Sequence, residues 1–488
     1  MRRQYQGKRF RHPKILLMFP PGVQLVGQEL KKCPPPLGLM YLASYLEKHG
    51  YEVRILDTIV EGYSQERRIV DDVIVYGLSD QEIVSSIQEF EPDVVGVSCL
   101  FSSLEVSLRH VAKLVKSIDP LIVVVAGGSH PSMMAEALLN DTNLDFIVIG
   151  EGEVTFLELL QVIESGDSLE KVGGLAWREE GCIRVKPKSN YIEDLDSLPF
   201  PARHLVPLHR YSELRAPHGD LLRVPYTPMI TSRGCPGRCT FCLSRKLWGP
   251  SYRYRSVSSI LEEIIDVVTR YSIKEIHFED DNLTANPERA AELFRQMIAL
   301  GMDLVWAIPN GLAVNTLSES LLSLMKASGC YSVSLAIESG SEEVLERIIR
   351  KPIDLRKVRR LVKYAKSIGL RVTGFFVIGF PGETRKQIME TLSLIEELDL
   401  DNAGLLVATP YPGTDLLETC IQENLLAVEV DQIDYLRLRH SKGARGIIQT
   451  EEFDPAYLEQ TINEWNARRS EFAKRQRKSH LLHEWNSW

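Results

Sequence analysis

No run in this chain approaches the roughly 20 apolar residues needed to span a bilayer. Behind a basic start (Arg2, Arg3, Lys8, Arg9, Arg11), the apolar stretch Ile15 to Phe19 is stopped by Pro20 and Pro21. A secretory signal needs a longer apolar stretch and a small-residue cleavage site, so the reading is a cytoplasmic protein with no membrane association. A basic excess is also missing. Lys and Arg number 57 against 66 Asp and Glu, a net charge of −9, which argues against a nucleic-acid partner. Eight cysteines in 488 residues exclude a disulfide scaffold, and no repeat recurs at solenoid periods. What remains is an ordinary globular composition, 44% apolar and 25% charged, at a length that predicts two domains of about 100–200 residues and a smaller third piece.

The first 165 residues alternate between short apolar strands (14–19, 53–56, 93–98, 122–126, 146–149) and helical patterns (37–49, 105–118, 132–139). Such strands predict a doubly wound α/β domain whose parallel sheet is covered on both faces and whose ligands sit at the carboxyl ends of the strands. Residues 166–224 break the rhythm with a hairpin around Glu179-Glu180-Gly181 and a Pro-containing linker at 194–201. From 225 to 416 a second alternation supplies six strand–helix units, too few for a closed eight-stranded barrel and suited to a partial one. Residues 417–488 read as a small, charged, mostly helical region. Its basic run (Arg468, Arg469, Lys474, Arg475, Arg477, Lys478) is read as a solvated helix face.

Three cysteines crowd into Cys235-Pro-Gly-Arg-Cys239-Thr-Phe-Cys242. In a reducing compartment that crowding points to metal rather than to bridges. Thiolates are the ligands of iron–sulfur clusters, and three on one loop leave the fourth iron of a cubane open. The competing reading, a structural zinc site, usually shows paired Cys-x2-Cys groups, and there is no second pair. Placed after the first strand of a strand–helix array, the motif resembles that of the radical S-adenosylmethionine superfamily. The resemblance implies a [4Fe–4S] cluster on Cys235, Cys239 and Cys242. Its open iron would hold S-adenosylmethionine, which is split reductively to a 5′-deoxyadenosyl radical. It also implies contacts to that cofactor from Phe241 near the adenine and from Asp280 and Asp281 at the amino group. Glu338, Ser339 and Gly340 would meet the ribose, and Ile378 and Gly379 (within Gly374 to Glu383) the adenine. Thr409-Pro-Tyr-Pro-Gly-Thr414 matches the family's close after the sixth strand. Each segment alone is a weak signal, since a turn or a cap is the competing reading; their order and spacing behind the cysteines join them.

A parallel-sheet domain ahead of such a barrel resembles the cobalamin-binding fold, in the branch that holds radical methylases and the anaerobic magnesium-protoporphyrin cyclase. The matching residues are Ser98, Leu100, Gly127, Gly128, Ser129 and Glu151, with Pro34 to Gly38 typical of the same branch. Glycine and serine let a backbone come close to a bulky ligand. Where many cobalamin proteins have Asp-x-His-x-x-Gly, this chain has Asp57-Thr-Ile59-Val-Glu-Gly62, so cobalamin would bind without a histidine ligand from that motif. His130 reads as a hydrogen-bonded side chain rather than an axial ligand.

The function this implies is cobalamin-dependent methylation of an unactivated carbon, or of phosphorus, in a small-molecule substrate, with flavodoxin or ferredoxin as electron donor. A second reading keeps the radical chemistry for cyclisation or dehydration of a porphyrin- or sugar-type substrate without methyl transfer. A third, a cobalamin or iron–sulfur sensor without catalysis, is disfavoured by the assembled motifs. No catalytic residue beyond the cluster ligands is identified. The tail is expected to cap the barrel, and Cys330 and Cys420 to be buried as small apolar residues.

Overall fold

Strands that are apolar along their whole length must be covered on both faces. In the computed structural model, which describes residues 12–27, 31–70, 72–189, 191–438 and 446–468, the first ten strands are β1 (Ile15–Phe19), β2 (Gly22–Leu25), β3 (Val53–Asp57), β4 (Glu66–Val70), β5 (Val73–Tyr76), β6 (Val94–Ser98), β7 (Val123–Gly127), β8 (Phe146–Val148), β9 (Leu175–Glu179) and β10 (Cys182–Lys186). Seven of them form one sheet in the order β10-β9-β8-β7-β6-β1-β3. The strands from β8 to β3 run parallel. Side chains alternate between two buried faces, as the period of two requires. Ile15, Leu17, Val125 and Val148 lie in one core, and Leu16, Met18, Val124 and Ile147 in the other.

The hairpin expected beyond the first domain is present as β9–β10, but it belongs to the first sheet, pairing antiparallel with β8 through β9. A small antiparallel sheet, β2-β5-β4, has no counterpart in the sequence reading. Its edge strand, Glu66-Arg-Arg-Ile-Val70, is mostly exposed and carries no alternation to detect. The helix expected at 132–139 is two short ones, Ser129–Met133 and Ala135–Leu139. The helix Glu105–Ile118 buries Leu108, Val111, Ala112 and Val115, the spacing of one helical face.

The second alternation forms β11 (Tyr226–Met229), β14 (Glu275–Phe278), β15 (Val305–Ala313), β16 (Cys330–Glu338), β17 (Arg371–Ile378) and β18 (Asn402–Val407). These make a six-stranded sheet in chain order, with a helix after each of the inner strands. Asn286 accepts the Arg289 N–H at 3.0 Å and Pro287 opens the helix Pro287–Leu300, the first-turn place proline suits. The first barrel strand ends at Met229. The following residues form a separate ribbon, β12 (Ser232–Arg233) against β13 (Arg253–Tyr254). By compactness the chain divides into one unit of Met1–Arg238, Cys242–Ser334 and Tyr364–Arg371 and another of Cys239–Phe241, Leu335–Lys363 and Val372–Trp488. The sequence-based boundaries at 165, 224 and 416 follow strand order instead. No helix among the described residues is long and apolar enough to cross a membrane. The basic residues at the start (Arg2 to Arg11) and, apart from Arg468, those at the end lie outside the described residues.

The linker region is anchored by a buried charge network. Arg203 donates to Glu263 at 2.7 Å, to Thr227 Oγ1 at 3.0 Å and to the Pro228 carbonyl at 3.0 Å. Arg255 donates to the other oxygen of Glu263. All three charged side chains are 5% exposed or less, so each needs its partners. Glu263→Ala leaves two buried guanidiniums facing an empty space and should lower stability by about 3–5 kcal/mol. Denaturant titration measures it, and Glu263→Gln, which keeps an acceptor oxygen for one of the two guanidiniums, should lose less.

Candidate functional site

The cysteine loop grows out of the β12 ribbon, whose root is held by Asp280. That carboxylate, fully buried just beyond β14, accepts from the Thr231 N–H at 3.1 Å, the Thr231 hydroxyl at 2.7 Å and the Ser232 hydroxyl. Burial raises its pKa, and the hydroxyl and backbone donors oppose the rise. Asp280 is thus engaged from inside. Asp281 keeps an exposed edge and accepts the Ser244 hydroxyl at 2.6 Å.

The three clustered cysteines differ from most others. Cys242 is exposed and Cys235 and Cys239 are half-buried, while Cys33, Cys99, Cys330 and Cys420 are buried. Burial pushes the thiols of Cys33, Cys99 and Cys330 far above the ordinary range, and that of Cys420 up to about 12. Such thiols behave as inert apolar groups. Cys235 Sγ accepts the Gly237 N–H at 3.4 Å and Cys242 Sγ the Ser244 N–H at 3.5 Å. Hydrogen bonds to sulfur are among the ways a protein tunes a cluster, so this donor set suits an iron–sulfur centre. Among the described residues no three His, Cys, Asp or Glu side chains gather as ligands of one ion would. In a cubane each thiolate takes a different iron.

In the second compact unit, Thr240 and Phe241 of the same loop are fixed by their own contacts. Thr240 donates to the carbonyls of Ile349 and Ile348 at 3.1 Å each. Phe241 packs on Phe380, with ring centroids 5.8 Å apart. Phe380 follows Gly379, so the structure brings together Phe241, Ile378 and Gly379, the three residues expected at the adenine. Gly379 has φ +87°, and a Cβ there would lie 2.6 Å from Leu458. The tail helix therefore sits directly on this turn. Glu338 has φ +69°, and Lys351 donates to its carboxylate at 2.8 Å. Ser339 hydrogen-bonds Thr391 at 3.1 Å and caps the Ser341 N–H, and Thr391 also accepts the Gly340 N–H.

In the first unit a cavity of about 260 Å³ opens at the carboxyl ends of β6, β7 and β8. It is lined by all six residues proposed from sequence for cobalamin: Ser98, Leu100, Gly127, Gly128, Ser129 and Glu151. Glycines leave the room. At Gly128, φ is +110° and a Cβ would stand 2.6 Å from the Cys99 carbonyl, so no other residue fits without a shift of the backbone. Hydroxyls at Ser98 and Ser129 in a largely apolar wall suit the aromatic base and ribose of a nucleotide tail. Glu151 faces this wall, but its oxygens are taken by Arg253 at 2.8 and 3.0 Å, Arg233 at 2.9 Å and the Ile192 N–H at 3.0 Å. These bonds fix the carboxylate within the wall. Among the described residues no histidine lines the cavity. Ile59 is buried under the Asp57 cap. Both ring nitrogens of His130 are engaged, with Ser102 at 3.0 Å and Glu105 at 2.8 Å.

Sequence reasoning missed part of this wall. Leu247 and Trp248 line the cavity, and they end the short helix Ser244–Trp248 that begins two residues after Cys242. Arg233 and Ile230 join them from the root of the loop. Nothing in a linear pattern marks residues 100 positions away as neighbours of Gly127.

Fold and site together define a two-part redox enzyme class, a nucleotide-cofactor sheet joined to an open barrel with a three-thiolate loop. The comparisons agree. Residues 23–160 match the B12 binding domain and residues 229–395 the radical SAM superfamily. The chain belongs to the radical S-adenosylmethionine superfamily, in the family that carries a B12-binding domain ahead of the radical domain. It is 38% identical over 454 residues to the cytidylyl-2-hydroxyethylphosphonate methyltransferase of Streptomyces wedmorensis, covering 86% of this chain and 84% of that one. It is 36% identical over 414 residues to an uncharacterised methyltransferase of Pyrococcus horikoshii, covering 85% and 84%. Among solved structures, it shares its fold with the radical S-adenosylmethionine methyltransferase TsrM of Kitasatospora setae with cobalamin and a [4Fe–4S] cluster bound. There the TM-score is 0.66 at 19% identity, covering 86% of this chain and 76% of that one.

Glu383 ties the Gly379 turn shut and sets a pH dependence. Its Oε2 accepts the N–H groups of Gly379 at 2.6 Å and Phe380 at 3.1 Å, while among the described residues the buried Oε1 has no partner. Burial raises its pKa from the ordinary 4.5 to about 7, against the pull of the two N–H donors. The folded state therefore keeps a proton that the unfolded chain releases. Stability falls as pH rises between about 4.5 and 7 and levels off above. Glu383→Gln should remove that part of the slope, read as the unfolding midpoint against pH.

Proposed function

We propose that this enzyme methylates an unactivated carbon of a small, cytidylyl-linked phosphonate, or of a close chemical relative of one. The observation that carries the reading is the short helix Ser244–Trp248. It starts two residues after Cys242, and its last two residues wall the glycine-lined cavity. One stretch of backbone thus serves both candidate cofactor sites. The extended similarity to a phosphonate methyltransferase supplies the substrate class.

When bound, the cluster would supply the electron that splits S-adenosylmethionine, and cobalamin would carry the methyl group. The chain's own residues bind and orient. Cys235, Cys239 and Cys242 hold the cluster. Asp281 receives the ammonium of S-adenosylmethionine through a charge-assisted hydrogen bond, and Ser244 fixes its rotamer. Lys351 holds the Glu338 carboxylate toward the ribose. Phe241 and Phe380 flank the adenine, backed by Leu458 from the tail, which in this reading closes the barrel and keeps water from radicals. Ser98 and Ser129 hydrogen-bond the cobalamin tail. A reducing cytoplasm suits the exposed thiolates, and a flavodoxin or ferredoxin would deliver the electron.

The test is anaerobic. The full chain, reconstituted and supplied with hydroxocobalamin, should hold about four irons, as a cubane requires, and one cobalt. With cytidylyl-2-hydroxyethylphosphonate it should give 5′-deoxyadenosine and a product heavier by one CH2. Cys235→Ala should lose most of the iron, whereas Cys330→Ala and Cys420→Ala should keep it. Iron without cobalt, and a product of unchanged or water-depleted mass, would replace methylation by cyclisation or dehydration.

A further inference from the structure

Residues 216–223, between the helix Leu208–Leu214 and β11, line the inner face of the barrel's first strands. That face is fixed by alternation: Phe278 packs edge-on against Trp306, which stacks on Phe294 of the outer helix Pro287–Leu300. Glu275, His277 and Glu279 therefore point inward. The segment is pinned along its length. The Ala216 carbonyl accepts the Cys33 N–H at 2.7 Å. Gly219 stands so close to Pro309 that an added Cβ would lie 2.8 Å from that residue's own. Tyr331 donates to the Asp220 carbonyl at 2.9 Å, and the Leu222 N–H to Glu275 at 2.9 Å. Arg223 grips Asp303 through two bonds at 2.6 and 2.8 Å.

On this fixed segment stands one imidazole. His218 Nδ1 lies 3.0 Å from Glu279 Oε2, and the Asn310 amide donates to the Glu279 carbonyl at 2.9 Å. Glu279 directly follows β14, at the carboxyl end of the strands where ligands of such barrels sit, and it immediately precedes Asp280 and Asp281. The His218 side chain is 47% exposed and that of Glu279 19%. A carboxylate on Nδ1 fixes the proton there and leaves Nε2 as an acceptor. Among the described residues Nε2 has no hydrogen-bond partner.

We propose that His218, oriented by Glu279, is a specificity-determining residue whose Nε2 accepts a hydrogen bond from a hydroxyl of the substrate. The inference rests on the phosphonate reading above and deepens it, since the substrate of the Streptomyces relative carries a hydroxyethyl group. A hydroxyl held there fixes the short carbon chain that bears it beside the Asp281 end of the barrel. A site built around a hydroxyl discriminates strongly against an analogue that lacks one, because the acceptor is then left unpaired.

The experiment measures equilibrium binding, with the reconstituted full chain held anaerobically. The two ligands are cytidylyl-2-hydroxyethylphosphonate and its deoxy analogue, cytidylyl-ethylphosphonate. The wild type should favour the hydroxylated ligand by roughly tenfold or more, the size of one net hydrogen bond. His218→Phe should bring that ratio to about one while iron content and S-adenosylmethionine affinity stay unchanged. Glu279→Gln should narrow it only in part. Should the Phe variant fail to hold its cluster, His218→Ala carries the same comparison. A variant that keeps its cofactors and the full preference for the hydroxyl overturns the role of His218. A wild type that binds neither ligand overturns the substrate reading itself, and this inference with it; one that binds both equally overturns the inference alone.

Discussion

Two buried glutamates and two buried arginines hold the structure around which both candidate cofactor sites are built. Glu151 and Glu153 come from the turn after β8. Arg233 and Arg253 come from the ribbon that carries the cysteine loop. Arg233 donates to Glu153 at 2.5 Å and to Glu151 at 2.9 Å, and Arg253 to Glu151 at 2.8 Å. None of the four side chains is more than 7% exposed. Burial works to raise the Glu153 pKa, but Arg233 overrides it and the carboxyl stays ionised. The guanidinium of Arg233 also lies between the rings of Tyr41 and Trp248, at 5.5 and 5.3 Å. Charges withdrawn this far from water are tolerated only when each is met by an opposite charge. The pairing therefore permits one placement of the loop root against the sheet. Since Arg233 lies two residues before Cys235 and Glu151 one residue after Gly150, the same four side chains set the cavity wall and the start of the cluster loop.

The same accounting of donors applies to two acids that the sequence reading set at the cofactor sites. Glu151 and Asp280 stand in motifs where the family resemblance suggests contact with a cofactor. Both turn out to be ringed by donors of their own chain. Their work is one step removed: Glu151 positions Arg253 and Arg233, and Asp280 closes the hydroxyls of Thr231 and Ser232 around the root of the loop. From sequence, a carboxylate that binds a ligand and one that holds up the residue beside it look the same, because both need a turn at a strand end. Only the count of donors already within reach separates them. Asp281 has one hydroxyl donor and an exposed edge.

Much of the rest was legible. Continuous apolar strands gave away the first sheet, because nothing else needs Val-Val-Gly-Val or Val-Val-Val-Ala unbroken by polar residues. Six strand–helix units and a three-cysteine loop were enough for the partial barrel, and the glycine and serine positions after β6 and β7 do line one cavity. What escaped was whatever depends on residues distant in sequence or free of periodicity. The exposed edge strand Glu66–Val70 has no buried face to pattern. Trp248 and Leu247 read as an ordinary helix end until the fold carries them to Gly127. Leu458 reads as one more apolar residue of a charged tail until its contact with Gly379 is seen. His218 sits in a loop of mixed composition, and its pairing with Glu279 spans 61 positions.

The way the first unit handles its histidines bears on what chemistry it can support. A metal-bound imidazole needs one ring nitrogen free and the other oriented by a partner. His130, the histidine nearest the glycine loop, has neither nitrogen free, because Ser102 and Glu105 take both. At the position where an Asp-x-His motif would place its imidazole stands Ile59, packed beneath a helix turn that Asp57 caps through the N–H groups of Ile59 and Val60. Asp57 is itself held by the Tyr211 hydroxyl at 2.7 Å. Asp57 thus acts as a structural cap, with Ile59 two residues on. A cavity arranged this way can grip a cofactor by its tail, through shape and two hydroxyls, and leaves the metal without a protein nitrogen from these positions. Cobalamin held there would supply the methyl group that the proposed reaction needs.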